Sequence, residues 1–229
     1  MAFSGFAKNA PAFFHELAME MNREWFLENK ERYESEWVTP LTELLTHVRE
    51  KLVPLYKPLT LAEPTVLRIY RDVRFSKTKA PYKTHVAGVI RLAGKKRGEG
   101  GTVLYFHTGL DEEGEWEDWV GSGSHFFEPP QLAKYRRAVA GKAGTELATL
   151  LTKMKKSGYR AGSEHTYTRV PKPFAQDHAR AALLVNKGLT AGPGEIPRGM
   201  LHQPKLADWL LASAKATAPI VKWLAKNVG

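Results

Sequence analysis

Residues Val66 to Phe75 alternate in character, and that alternation limits what the middle of this chain can become. Leu67, Ile69, Val73 and Phe75 fall on one side, with Arg68, Tyr70, Asp72 and Arg74 on the other. Side chains on a strand follow this period of two, so a strand with one apolar face is predicted. Arg71 breaks the pattern by landing on the apolar face. An unpaired buried guanidinium costs several kcal/mol. Arg71 must therefore find a carboxylate, carbonyls or a ligand, or sit at a strand end or bulge.

On the N-terminal side, Asn9 to Met21 reads as a helix, capped by Asn9 and with Pro11 in its first turn. Asn22 breaks or bends the run. Arg23 to Pro54 is a longer helical stretch, kinked or restarted at Pro40 with Thr39 as the cap. After the first strand, Val86 to Leu92, Val103 to Thr108 and Trp116 to Val120 are further strands. Their short connections argue an antiparallel sheet of about four or more strands. A helix from Glu128 to about Ala140 follows, then one from Lys142 to Lys156. Phe174 to Val185 looks helical, Ala191 to Gly199 is loop-rich, and Leu206 to Val228 is one helix or two divided near Pro219. Helix, sheet and helix in blocks predict an α+β fold, with N-terminal and C-terminal helices packing the sheet. A single domain is expected over residues 1–229, helical in 9–54, with its sheet core in 64–126 and helical and loop-rich in 128–229.

The 229 residues carry a net charge of +10 and a pI near 9.7. That balance is a footprint for nucleic acid, phosphate ligands or an anionic surface. Cysteine is absent, which excludes disulfides, a thiolate nucleophile and cysteine-type zinc sites. The N-terminus lacks the basic start, apolar core and cleavage site of a signal peptide. No apolar run approaches the roughly 20 residues of a membrane span. A soluble cytoplasmic protein with no membrane partner is expected. The dinucleotide fingerprint, the phosphate loop, the serine-hydrolase elbow and the paired-histidine zinc motif are all missing. No cofactor and no metal is expected.

The candidate site lies between Leu67 and His85. Arg68, Arg71, Arg74, Ser76, Lys77, Lys79 and Lys83 are the anion-binding candidates, because guanidinium forks and mobile ammonium groups suit phosphate and carboxylate. Asp72 orients an arginine or acts as a base. His85, Tyr82 and Asp72 are the catalytic candidates, with Tyr82 and His85 as proton donors. Asn22 and Arg23 would close the pocket, and Gly121 and Gly123 offer a backbone nest for an anion. The acidic run from Asp111 to Asp118 reads as a solvated turn. Three functions stay open. One is a pocket for a phosphorylated or carboxylated small molecule. Another is a nucleic-acid-binding module that adds Lys95, Lys96 and Arg97. The third is a purely structural arginine cluster tied to Glu24, Glu28 or Asp72.

Some of these residues also form long motifs. Asn22-Arg23-Glu24-Trp25-Phe26, with Asn29, Lys30 and Tyr33, opens the chain. Arg68-Ile69-Tyr70-Arg71-Asp72-Val73-Arg74-Phe75-Ser76-Lys77 and Lys79-x-Pro81-Tyr82-Lys83-Thr84-His85 form its centre. Pro171-Lys172, Asp177-His178 and Leu184 to Leu189 follow. Together they resemble the domain of unknown function 2461 family over nearly the whole chain. Pro173-Phe174 departs from the Gly-Tyr the family more often has after Pro-Lys, and Met21 stands where another asparagine is frequent. The resemblance implies a single-domain, mostly bacterial protein with no assigned activity, and it carries over no catalytic residues.

Overall fold

The alternation of the central stretch survives as burial but not as a long strand. In the computed structural model, which describes residues 3–74, 79–96 and 98–229, Arg68, Tyr70, Asp72 and Arg74 are exposed while Leu67, Ile69, Arg71 and Val73 are partly or fully buried. Regular pairing is confined to β1 (Thr65–Val66). Beyond it the chain is a loose hairpin, held by Arg71 N–H donating to the Pro81 carbonyl at 2.9 Å and Lys83 N–H to the Ile69 carbonyl at 2.8 Å. The predicted strand from Val66 to Phe75 is thus corrected over Leu67 to Arg74, and Phe75 lies outside the described residues. Its partner segment contains Pro81, which has no N–H to extend a ladder.

The other strands are β2 (His85–Arg91), β3 (Thr102–Leu110), β4 (Trp116–Ser124), β5 (Arg160–Gly162) and β6 (Leu189–Gly194). They lie in the order β1-β2-β3-β4-β6-β5, every neighbouring pair antiparallel. The fold is α+β. β6 falls where a loop is predicted, since Gly192, Pro193 and Gly194 read as punctuation. Pairing with β4 on one side and β5 on the other overrides that local signal.

The helices are α1 (Pro11–Glu20), α2 (Arg23–Glu28), α3 (Lys30–Tyr33), α4 (Thr39–Tyr56), α5 (Pro129–Ala140), α6 (Ala143–Lys156), α7 (Ala181–Leu184) and α8 (Leu206–Asn227). α1 ends at Met21, whose φ of 39° is left-handed. Asn22 then caps α2, its side chain accepting from Trp25 N–H at 2.9 Å. Ala10, not Asn9, is the cap of α1. A π-helical turn, Glu34–Val38, leads into α4. Pro40 sits in the first turn of α4, where its missing N–H costs nothing, but Thr39 makes no capping bond. α8 continues through Pro219 without dividing.

The predicted helix from Phe174 to Val185 shrinks to the four residues of α7. Gln176 bonds both the N–H and the carbonyl of Val170, at 3.2 and 2.7 Å, and His178 Nδ1 accepts from Arg180 N–H at 2.9 Å. These side-chain bonds to backbone hold a loop in place of helical turns.

One buried cluster joins Phe6, Phe14, Trp37, Leu41, Leu45 and Phe106 between the first helices and the sheet. A second joins Tyr135, Val139, Leu147, Leu189, Trp223 and Leu224 under α5 and α6. α8 contributes to both. None of the described helices is long and apolar enough to cross a membrane.

Candidate functional site

Strand alternation sorts the side chains of β2, β3 and β4 onto two faces. Leu41 and Leu45 of α4 lie against Gly88, Phe6 stacks on Phe106, and Ser122 Oγ meets Thr217 Oγ1 of α8 at 2.7 Å. Apart from Val103, beside the irregular step between Thr102 and Tyr105, the residues of these strands that join the helix-side core are even-numbered. His85, Tyr105, His107, Glu117 and Trp119 project from the other face.

There the side chains interlock. The rings of His85 and His107 stack with centroids 5.1 Å apart. His107 Nε2 lies 3.4 Å from Glu117, and His107 Nδ1 lies 3.2 Å from the Tyr105 hydroxyl. A neutral His107 that gives its Nε2–H to Glu117 leaves Nδ1 to accept the Tyr105 proton, so both contacts name one tautomer. Gly109 pairs with His85 on one side and Glu117 on the other. Its φ is +150°, and a Cβ there would lie 2.4 Å from the His85 Cα. Glycine is what lets the three strands close at this row.

His85 is held well below the usual histidine range, at about 4. Burial is the main cause, and the nearby His107, Lys83 and Arg71 act in the same direction. Burial lowers His107 too, with Glu117 opposing. The neutral imidazole of His85 thus sits amid positive charge.

The hairpin cations are placed as follows. Arg71, on the inner side, faces Glu112 at 3.9 Å. Arg74 grips Asp72 with two bonds of 2.9 and 2.7 Å. Asp72 therefore orients an arginine, and that pair holds its carboxyl below the ordinary range. Lys79 Nζ donates to the Val73 carbonyl and Lys83 Nζ to the Arg68 carbonyl, each at 3.0 Å. Arg68 is exposed. Ser76 and Lys77, and Arg97 from the nucleic-acid reading, lie outside the described residues. Tyr82 is buried, stacked on Phe26 at 4.4 Å.

Asn22 is the α2 cap, and Arg23 lies near enough to Tyr82 to act on it electrostatically. Gly121 and Gly123 belong to β4 and form no turn. The Trp119 ring lies over Gly121, and Gly123, at φ +107°, abuts the Leu189 carbonyl of β6. Their serines and glycines read as a nest because no apolar residue marks the strand.

Glu117 and Asp118, read as part of a solvated turn, sit on opposite faces of β4. Asp118 Oδ1 accepts from the Thr108 hydroxyl and from Trp116 Nε1–H. Burial pushes its carboxyl pKa up, against those two bonds. Asp118 lines a cleft of about 300 Å³ with Trp116, Ile196, Arg198, Leu201 and His202. A second cleft of about 270 Å³ lies over β4, β6 and β5, between Trp119, Arg160, Glu164 and Thr190. Neither of these two clefts is lined by a described hairpin cation.

His107, Glu117 and Tyr105 were not singled out from the sequence. The signal was there in part, since Tyr105 and His107 are spaced by two within a predicted strand that also precedes the acidic run. His125, Glu164 and His165, also not singled out, converge at the far end of the sheet.

No curated protein and no solved structure matches the chain. The model of a family described as conserved hypothetical proteins, DUF2461, matches residues 9–223 of the 229, and the chain belongs to that family.

Proposed function

We propose that the hairpin end of the sheet binds a small phosphorylated or carboxylated molecule, held by Arg71 and Lys83 and met by the His85–His107 pair. One arrangement carries the reading: the His85 ring stacked on His107 beside Arg71 and Lys83, an imidazole held neutral mainly by burial and further by those positive neighbours. An anion arriving there is attracted by Arg71 and Lys83 and reverses the field on His85. It would bind together with a proton, so affinity rises as pH falls. Glu117 and Tyr105 fix the tautomer of His107, which equips the pair to pass a proton to or from the guest. Lys79 and Arg68 flank the same hairpin.

The test is a titration of the imidazole NMR signals with inorganic phosphate and with citrate, at ionic strength held constant with chloride. The expected result is an upward shift in the His85 pKa on saturation. Arg71→Met should weaken the anion about tenfold or more, the scale of one lost charge-assisted bond. Identical titrations in phosphate and in chloride would overturn the proposal. Tight binding of mixed-sequence DNA or RNA, falling steeply with salt, would replace it with a nucleic-acid interface.

A second reading is favoured by the bonds of Arg74, Lys79 and Lys83 to Asp72 and to backbone carbonyls. In it the cations only brace the hairpin. Loss of stability in Arg71→Met and Lys83→Met, with no anion effect in the parent chain, would select it.

A further inference from the structure

We propose that His125, Glu164 and His165 form a binding site for a divalent transition ion of the zinc class. One donor atom from each side chain lies within 4.8 Å of the other two. His125 Nδ1 is 3.5 Å from a Glu164 carboxylate oxygen. The two imidazoles stand perpendicular, with ring centroids 4.9 Å apart. Donors at about 2.0–2.1 Å from a tetrahedral ion lie about 3.3 Å from one another. The observed spread exceeds that by at most about 1.5 Å, within the reach of exposed side chains turning about their χ angles.

The sheet brings these residues together. His125 follows Ser124, the last residue of β4, and Glu164 and His165 come two and three residues after Gly162, the last of β5. β6 lies between those strands, with Thr190 paired to both Gly123 and Gly162. The backbone around the site is tied down. Lys187 N–H donates to the His165 carbonyl and Phe127 N–H to the Lys187 carbonyl, both at 2.9 Å. Ser163 Oγ also donates to the His165 carbonyl, at 2.7 Å. Phe126 stacks on the His165 ring at 4.5 Å and within 16° of parallel, which orients the imidazole.

Two imidazoles and one carboxylate suit zinc, cobalt or nickel. Calcium and magnesium select sets of oxygens. Three protein donors leave a coordination position open. Glu164 also lines the cleft of about 270 Å³ over β4, β6 and β5, so the open position borders a space for a small ligand.

The experiment uses the full chain without a histidine tag. Zn²⁺ is titrated against a chromophoric chelator, and Co²⁺ is used for its visible spectrum. The expected result is one bound equivalent and a Co²⁺ spectrum of low coordination number. His125→Ala and His165→Ala should each weaken Zn²⁺ by at least about tenfold. His178→Ala, on a separate loop, should leave the affinity unchanged. Paramagnetic broadening by Co²⁺ should be confined to the His125 and His165 rings. Zn²⁺ affinity equal in the parent chain and the His125→Ala/His165→Ala double variant would overturn the proposal, as would broadening centred on other histidines.

Discussion

The 67–83 hairpin and the far end of the sheet, where β4 and β5 stop, hold their ionisable groups in opposite ways. The hairpin gathers its cations from one short run of sequence, and the fold then turns three of the described ones back onto the hairpin: Arg74 to Asp72, Lys79 and Lys83 to carbonyls. The sheet end draws His125, Glu164 and His165 from two separate connections and brings their donor atoms together. Density along the chain is therefore a poor guide to convergence in space. A local run can satisfy itself through short-range bonds, whereas groups brought together by sheet order meet only because the backbone places them there.

The most severe way to break this contrast is at Gly123. Its φ of +107° and the Leu189 carbonyl against it leave no room for a side chain. Gly123→Val should cost more than about 3 kcal/mol in chemical denaturation, the range of strained backbone plus overpacking. It should also separate β4 from β6, and with them His125 from His165. A variant as stable as the parent would show that the sheet end is not what sets the donor cluster.

The next effect sharpens the hairpin side of the comparison. His85 has a folded pKa of about 4 against 6.5 for a free histidine. Because the folded value is depressed, the unfolded chain takes up the proton first as pH falls. The stabilisation is present in full above pH 6.5 and is lost between there and pH 4. The amount involved is on the order of 3 kcal/mol. Asp118 works with the opposite sign, since its raised pKa favours the folded state in acid and is a cost once it ionises. His85→Gln removes one contribution and leaves the other. Denaturation at pH 7 and at pH 4.5 should show a smaller acid loss in that variant than in the parent, and an unchanged slope would refute the assignment.

Smaller still is Lys83→Met, which removes the bond to the Arg68 carbonyl. A loss of at most about 1 kcal/mol in urea midpoint is expected, because the group is solvent-accessible. Arg74→Ala comes last. Its pair with Asp72 is exposed, with 76% of the arginine side chain accessible, and thermal melting should not distinguish it from the parent. A large effect in Arg74→Ala would mean that the hairpin's internal pairs carry more of the fold than their exposure allows.

Much of the architecture was legible from pattern. The helical stretches read from the sequence contain α1, α4, α5, α6 and α8, and the runs with short connections contain most of β2, β3 and the start of β4. The misreadings share a cause. β6 and the end of β4 are rich in glycine, so their side chains say little, and their strand character comes from pairing with remote partners. The stretch from Val66 to Phe75 has the right alternation, but Pro81 opposite it cannot complete a ladder. In the candidate site, His85 was legible by its position beside the basic run. Its companions His107, Glu117 and Tyr105 were not, because they come from other strands and only register sets them beside it.

What the residues alone determined is the α+β class, the buried faces, the surplus of positive charge and the family. Those follow from periodicity, composition and motif length, which are properties of neighbours along the chain. Tertiary structure decided which cations face inward, which imidazoles touch, and that two histidines and a glutamate from the ends of β4 and β5 share one place. Those depend on strand order and register, where a single residue of slip would send every side chain to the opposite face.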